Sequence, residues 1–351
     1  LSGPTLGALP VDLTPIREVF GLDDEAIRRD VIASGQPAVL RGLVDAWPAV
    51  AHARSSVSAI ASYLRQFDNG ALVDAIMTPP EIKGRIFYND SMDGFNYLRN
   101  RLPLSAVVEQ ILRYSAFAQP PAVAAQSALI RDCVPGFLAE NRLALLDESI
   151  SPRIWLGNAI TTPTHLDEWC NIACVVSGRR RFTLFPPEQI TNLYVGPLDF
   201  APTGAPMSLV RLSDPDFERF PRFREALSAA QVADLDAGDA LFIPPLWWHN
   251  VESRDAFNVL VNYWWHASAG TQHPAGPAFD CLMHGILSIR NLPPETRKAW
   301  GALFEHYVFG APATVTGHIP AARHGILGHL STEEVTRLRA DLARRLGATA
   351  R

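Results

Sequence analysis

Apolar and polar positions change rhythm twice along this chain. The stretch "LDDEAIRRDVIASGQPAVLRG" sets acids at a helix start and carries Ile27, Val31 and Ile32 at helical spacing. It breaks at Ser34-Gly35 before a strand-like apolar run. "SAIASYLRQF" and "PLSAVVEQILRYSAFA" have the spacing of amphipathic helices, and "GRIFYND" between them reads as a strand. Residues 1–145 are thus expected to be a mixed α/β region. From 146 to 270 the pattern shortens to β-rich runs punctuated by Gly, Pro and Asp: "RIWLGN", "NIACVVSGRRRFTLFPP", "VADLDAGDALFIPP", "HNVES" and "NVLVNYWW". Short strands with no helical period between them predict a sandwich or barrel rather than a doubly wound sheet. Ser177-Gly178 and Asp236-Ala237-Gly238-Asp239 read as hairpin turns, and 186–230, rich in Pro, Asp and Phe, as an excursion packed over the barrel.

From 271 to 351 helical spacing returns in "AFDCLMHGILSIRNL", "PPETRKAWGALFEHYVFG" and "STEEVTRLRADLARRLG". In the last, Ser331 and Glu334 have the spacing of a capping box. With no repeat and no low-complexity linker, the expectation is a mainly β fold. Residues 1–145 pack on a barrel formed by 146–270, and 271–351 form a helical region.

Bulk properties exclude some functions. A chain of 351 residues with 48% hydrophobic content can bury a substantial core, and a net charge of −5 leaves no electrostatic footprint for nucleic acid. No apolar run is long enough for a membrane helix, and "LSGPTLGALPVDLTP" lacks a charged segment followed by a long apolar one. A cytoplasmic chain without membrane contact is expected. Cys133, Cys170, Cys174 and Cys281 form no CxxC pair and no dense disulfide framework, so reduced thiols are expected.

The chemistry begins at "TPTHLDEWCN", residues 162–171. On a strand, positions i and i+2 share a face, so His165 and Asp167 project together. A polar strand surface would look the same, and the pair alone is weak. A third ligand fits at His249, where "GDALFIPPLWWH" ends an apolar strand with two prolines and presents a histidine at its rim. Two imidazoles and a carboxylate with open positions make the facial triad of non-haem Fe(II) oxygenases. Cys170 and Cys174 have the opposite parity from His165 and Asp167, which favours small buried hydrophobes over a zinc centre. Period two also separates Arg180, Phe182 and Leu184 from Arg179, Arg181 and Thr183, so one arginine of the run is expected to point inward with apolar neighbours.

The two segments "GNAITTPTHLDEWCNIACVVSGRRRFTLFPPEQ" and "LDAGDALFIPPLWWHNVESRDAFNVLVNYWW" resemble the JmjC-like branch of the cupin superfamily, in particular cupin-like proteins similar to the asparaginyl hydroxylase factor inhibiting HIF. The resemblance implies a double-stranded β-helix (a jelly roll) that binds Fe(II) and the cosubstrate 2-oxoglutarate and uses O2, with His165, Asp167 and His249 as ligands. It implies that Arg180 meets the distal carboxylate of 2-oxoglutarate, where close relatives of the hydroxylase use lysine, and that Thr162, Asn171 and Asn262 line the cosubstrate pocket. Of a "YxQ"-like element the chain keeps Gln126 but has Ala124 where relatives carry tyrosine. Trp169, next to the ligand pair, is the candidate for touching substrate.

The activity implied is hydroxylation of a C–H bond in a protein, peptide or small molecule. Retention of Asp167 argues against halogenation, which needs that ligand position vacated. The alternatives are a JmjC-like binding or regulatory module with little turnover, or a cupin using another divalent metal as an isomerase or lyase. Apolar positions Phe279, Leu282, Met283, Ile286 and Leu287, together with the resemblance, lead us to expect a homodimer formed through the helical tail.

Overall fold

The structure, a computed structural model, describes residues 13–266 and 278–348. The expected boundary at 270/271 and residues 1–12, with most of the N-terminal stretch read for a signal, lie outside the described residues. The chain divides into two compact units, Leu1–Trp265 and His266–Arg351.

In the first unit the strands are β1 (Thr14–Pro15), β2 (Glu18–Phe20), β3 (Ala38–Arg41), β4 (Leu72–Thr78), β5 (Leu98–Pro103) and β6 (Ala122–Leu129). They continue with β7 (Arg153–Gly157), β8 (Thr161–Leu166), β9 (Cys170–Ser177), β10 (Arg180–Phe185) and β11 (Gln231–Leu235). β12 (Ala240–Ile243), β13 (Trp248–Ser253) and β14 (Asn258–Trp265) complete the set. They form a five-stranded sheet, β1-β11-β10-β13-β8, and a nine-stranded sheet, β2-β3-β12-β9-β14-β7-β6-β4-β5.

From β7 to β14 the chain changes sheet at every connection except β10 to β11. That alternation winds the chain as a double-stranded β-helix, as the sequence leads one to expect. It also corrects the reading of the two glycine turns. Ser177-Gly178 and Asp236–Asp239 are corners at which the chain crosses between sheets, because β9 pairs with β12 and β14, not with β10. Turn residues reveal that a chain reverses; they do not reveal which sheet the next strand joins.

Two separate cores result. Phe182, Leu184, Val175, Leu241, Trp247, Val251 and Leu260 fill the space enclosed by the barrel. On the outer side of the nine-stranded sheet, Cys170, Cys174, Val176 and Val261 pack with the helices Val57–Arg65 and Leu104–Tyr114. Each fully buried large side chain contributes about 1.5–3 kcal/mol of transfer free energy. Strand parity thus places the two cysteines as expected, away from the enclosed space.

The excursion 186–230 joins β10 to β11 and builds its own small core, in which Leu193, Val210, Leu212, Phe220 and Phe223 meet Phe185 and Trp248. It covers the free edge of β8: Met207 bridges His165, and the Ser208 N–H donates to the Thr164 carbonyl at 2.7 Å. "GRIFYND" does not form a strand but only isolated bridges, Arg85 to Thr161 and Tyr88 to Phe95. The strands β4, β5 and β6 carry small or charged residues and little apolar alternation, so the pattern did not signal them.

In the second unit the helices include Ala278–Ile289, Pro294–Tyr307 and Thr332–Ala348. The capping box forms: the Glu334 N–H donates to Ser331 Oγ at 3.3 Å, and the Ser331 N–H to Glu334 Oε2 at 2.7 Å. No helix among the described residues is long and apolar enough to cross a membrane.

The corner at Gly178 generates a prediction. Its φ is +74°, and a Cβ there would lie 2.4 Å from Asn258 Oδ1 and 2.8 Å from the Phe257 carbonyl. Gly178→Ala is expected to destabilise the fold by about 1–3 kcal/mol from backbone strain, with the clash in addition. An unchanged urea-unfolding midpoint would contradict that corner geometry.

Candidate metal and cosubstrate site

The site forms where β8 ends and β13 begins. His165 and His249 are register partners across these strands, with ring centroids 4.2 Å apart. β12 stops at Ile243 because Pro244 and Pro245 have no N–H for a ladder. Leu246 then turns the chain at φ +65°, and its N–H donates to the Asp167 carbonyl at 2.8 Å. The turn that delivers His249 therefore also fixes the backbone of Asp167. One ligand atom from each of His165, Asp167 and His249 lies within 4.8 Å of the others, and His249 Nε2 is 3.6 Å from Asp167 Oδ2.

Backbone contacts set the tautomers. His165 Nδ1 lies 2.8 Å from the Pro163 carbonyl and His249 Nδ1 lies 3.0 Å from the Trp247 carbonyl. A carbonyl only accepts, so each Nδ1 carries the proton and each Nε2 keeps its lone pair. Burial, and secondarily the neighbouring His165, push His249 down to about 4 against the opposing pull of Asp167. His249 is therefore neutral at neutral pH, as a ligand must be.

Asp167 Oδ2 is buried and, among the described residues, has no hydrogen-bond partner. An orphaned carboxylate oxygen is costly in a protein interior, and a cation between it and two imidazole lone pairs would satisfy it. The residues fit a divalent ion of the Fe(II) type: two nitrogen donors, one oxygen donor, and backbone partners that orient both rings.

Arg180 lies deeper. It is buried on the face of β10 that also carries Phe182 and Leu184, opposite Leu235 and Ser253. Among the described residues its Nε has no hydrogen-bond partner, and burial pushes its pKa down to about 10, which leaves it charged at neutral pH. Its neighbours point the other way, Arg179 to Asp255 at 2.8 Å and Arg181 to Asp234 at 2.6 Å. Among the described residues Arg180 has no carboxylate partner. Leu184 is the register partner of His249, so Arg180 sits four residues further along the strand, about 13 Å at the rise of a β-strand. A five-carbon diacid together with the reach of an arginine side chain spans such a gap.

Asn171 and Asn262 meet each other. Asn262 Nδ2 donates to Asn171 Oδ1 at 3.4 Å, and the Trp155 indole donates to Asn262 Oδ1 at 2.9 Å. Thr162 is half-buried opposite Val251. Gln126 is half-buried on an irregular part of β6, between Ala125 and Ala128, and among the described residues no hydrogen bond joins it to the triad or to the asparagine pair. Ala124 packs with Ile76, Ile86, Ala122 and Ile160, so aliphatic carbon surrounds the position where a tyrosine is absent. Trp169 lies at the rim, 40% exposed.

Three contributors escaped the sequence reading. Trp155 has the inward parity of its strand, a signal that was available. Leu246 and Met207 act through backbone geometry, which no residue type announces.

If the three side chains hold the ion, His249→Ala should reduce Mn(II) binding severely in calorimetry; unchanged affinity would refute the assignment.

The geometry agrees with comparisons to known proteins. A sequence profile described as the cupin-like domain matches residues 24–271. HSPB1-associated protein 1 of Homo sapiens is 40% identical over 149 residues, 42% of this chain and 30% of that protein. Lysine-specific demethylase JMJ31 of Arabidopsis thaliana is 37% identical over 125 residues, 35% of this chain and 22% of that protein. The tRNA wybutosine-synthesizing protein 5 of Mus musculus is 37% identical over 146 residues, 38% of this chain and 43% of that protein. The chain thus matches less than half the length of each of these relatives.

Proposed function

The chain belongs to the cupin-like domain family, of JmjC type, and from that premise we propose that it is an Fe(II)- and 2-oxoglutarate-dependent oxygenase that hydroxylates a C–H bond of a protein or peptide side chain. One observation carries the proposal: a converging histidine, aspartate and histidine share one enclosed space with a buried arginine that has no acid partner. Two charges without counterions in a barrel interior call for a ligand with a metal-binding end and an anionic end. 2-Oxoglutarate has both.

Bound Fe(II) would supply oxidative chemistry in which O2 and 2-oxoglutarate yield succinate and carbon dioxide, one oxygen atom entering succinate and the other the substrate C–H bond. His165, Asp167 and His249 would hold the ion. Arg180 holds the distal carboxylate through charge-assisted hydrogen bonds, and the Trp155–Asn262–Asn171 chain, with Thr162, orients the cosubstrate from the side. Phe182, Leu184 and Val251 keep water from the reacting centre. Gln126 completes the cosubstrate side of the pocket, and Trp169 borders the approach of the substrate. A protein target is favoured over a tRNA by the net charge of −5, and one relative's name specifies action on lysine.

Succinate formation from 2-oxoglutarate by iron-loaded protein tests the activity. Cosubstrate binding without succinate would favour the binding-module alternative, and metal binding without cosubstrate affinity the isomerase or lyase. Arg180→Ala should weaken 2-oxoglutarate roughly tenfold to a hundredfold on Mn(II)-loaded protein while leaving metal affinity nearly unchanged. Equal cosubstrate affinity in the variant would refute its role.

We also propose a homodimer formed through the helical tail. The helix Ala278–Ile289 buries none of its residues and leaves Leu282 at 52% and Leu287 at 79% exposure. Light scattering should give twice 38.5 kDa at micromolar concentration, and the monomer mass would end the proposal.

A further inference from the structure

Among the described residues β5 is the terminal strand of the nine-stranded sheet and pairs on one side only, with β4. Residues Leu98–Arg101 are all exposed, Leu98 at 74%. On this strand the Arg101 N–H donates to Asn100 Oδ1 at 2.8 Å, so a side-chain amide stands where the carbonyl of a neighbouring strand would otherwise accept. The edge is thus capped by a group that can swing aside.

An open groove of about 460 Å³ adjoins the first residue of this edge, lined by Met77, Thr78, Phe95, Tyr97, Leu98 and Pro121 among others. Its walls are fixed in advance. Phe95 and Tyr97 stack at 5.5 Å, and the Tyr97 hydroxyl donates to the Pro202 carbonyl at 2.9 Å. Asn96 spends its amide on the Arg85 carbonyl and accepts from the Phe87 N–H. Thr78, fully buried, is the exception: among the described residues its hydroxyl has no hydrogen-bond partner. A preformed apolar groove with one unsatisfied hydroxyl, beside a strand edge with open main-chain groups, has the elements of strand-addition recognition, in which main-chain bonds give affinity and a side-chain pocket gives specificity.

The charge of the edge selects the occupant. Arg99 and Arg101 are exposed, and neither forms an ion pair among the described residues; Arg101 reaches the Leu72 carbonyl, and Asp74 is its register partner. Two copies pairing through this edge would set arginines against arginines, which disfavours self-association. A nucleic acid backbone carries no N–H and C=O ladder to pair with such an edge. We propose that β5 and the groove beside it are a docking site for an acidic, extended peptide segment of another protein, which adds as a strand to Leu98–Pro103 and inserts one apolar side chain between Phe95, Tyr97 and Met77. This site is independent of the metal and cosubstrate reading.

The test uses the full chain and a synthetic dodecapeptide that alternates glutamate with valine around one phenylalanine. Fluorescence anisotropy should show saturable binding, and hydrogen exchange should show new protection of the outward-facing amides of Arg99 and Arg101. The doubly exchanged variant R99E/R101E should melt at the same temperature as the parent, bind the glutamate peptide at least about tenfold more weakly, and gain affinity for the lysine counterpart. Replacing the phenylalanine of the peptide by alanine should cost about tenfold in the parent chain. Equal binding of the glutamate and lysine peptides by the parent, or binding without protection of β5, would overturn the proposal. So would a single-stranded RNA that outcompetes the peptide, or a dimer of the free chain abolished by R99E/R101E.

Discussion

Two imidazoles can share one ion only if the strands that carry them are locked in register, and in this protein that lock is the pairing of β8 with β13. A slip of one residue on either strand would turn a histidine to the opposite face. Several distant features hold the register. The double proline after Ile243 ends one strand and aims the next. The Leu246 N–H ties that turn to Asp167. Met207 and Ser208 cover the outer edge of β8 and keep it from pairing elsewhere.

The same register decides what lies deeper. Because Leu184 pairs with His249, the strand that carries Arg180 is aligned with the His165, Asp167 and His249 group, and Arg180 stands four residues along from it. Among the described residues, Asp167 Oδ2 and Arg180 Nε are both buried without a hydrogen-bond partner.

Much of this was legible from residue types and parity. The inward parity of Arg180 and the outward parity of Cys170 and Cys174 follow from the two-residue period of a strand, the shared side of His165 and Asp167 from carrying that period one residue past the end of β8, and the break before His249 from prolines that lack an N–H. What that period cannot supply is the identity of a strand's neighbours. The two glycine corners therefore read as hairpins although they join different sheets, and β4, β5 and β6 were silent because pairing with neighbours, not apolar alternation, makes them strands. The roles of Leu246 and Met207 were equally hidden, since a main-chain hydrogen bond has no residue signature. The Asn171–Asn262 contact lay between these extremes: the resemblance named both residues, but only the pairing of β9 with β14 explains why they touch.

The connection 186–230 is the one link in the barrel that leaves and re-enters the same sheet. Every other corner is constrained by the crossing it must make, whereas this loop is tied to the barrel by its own small core and by the edge of β8. The connection therefore acts as a clamp from outside the winding: a change that loosened its small core would release the edge of β8 and, with it, the register that sets His165 opposite His249.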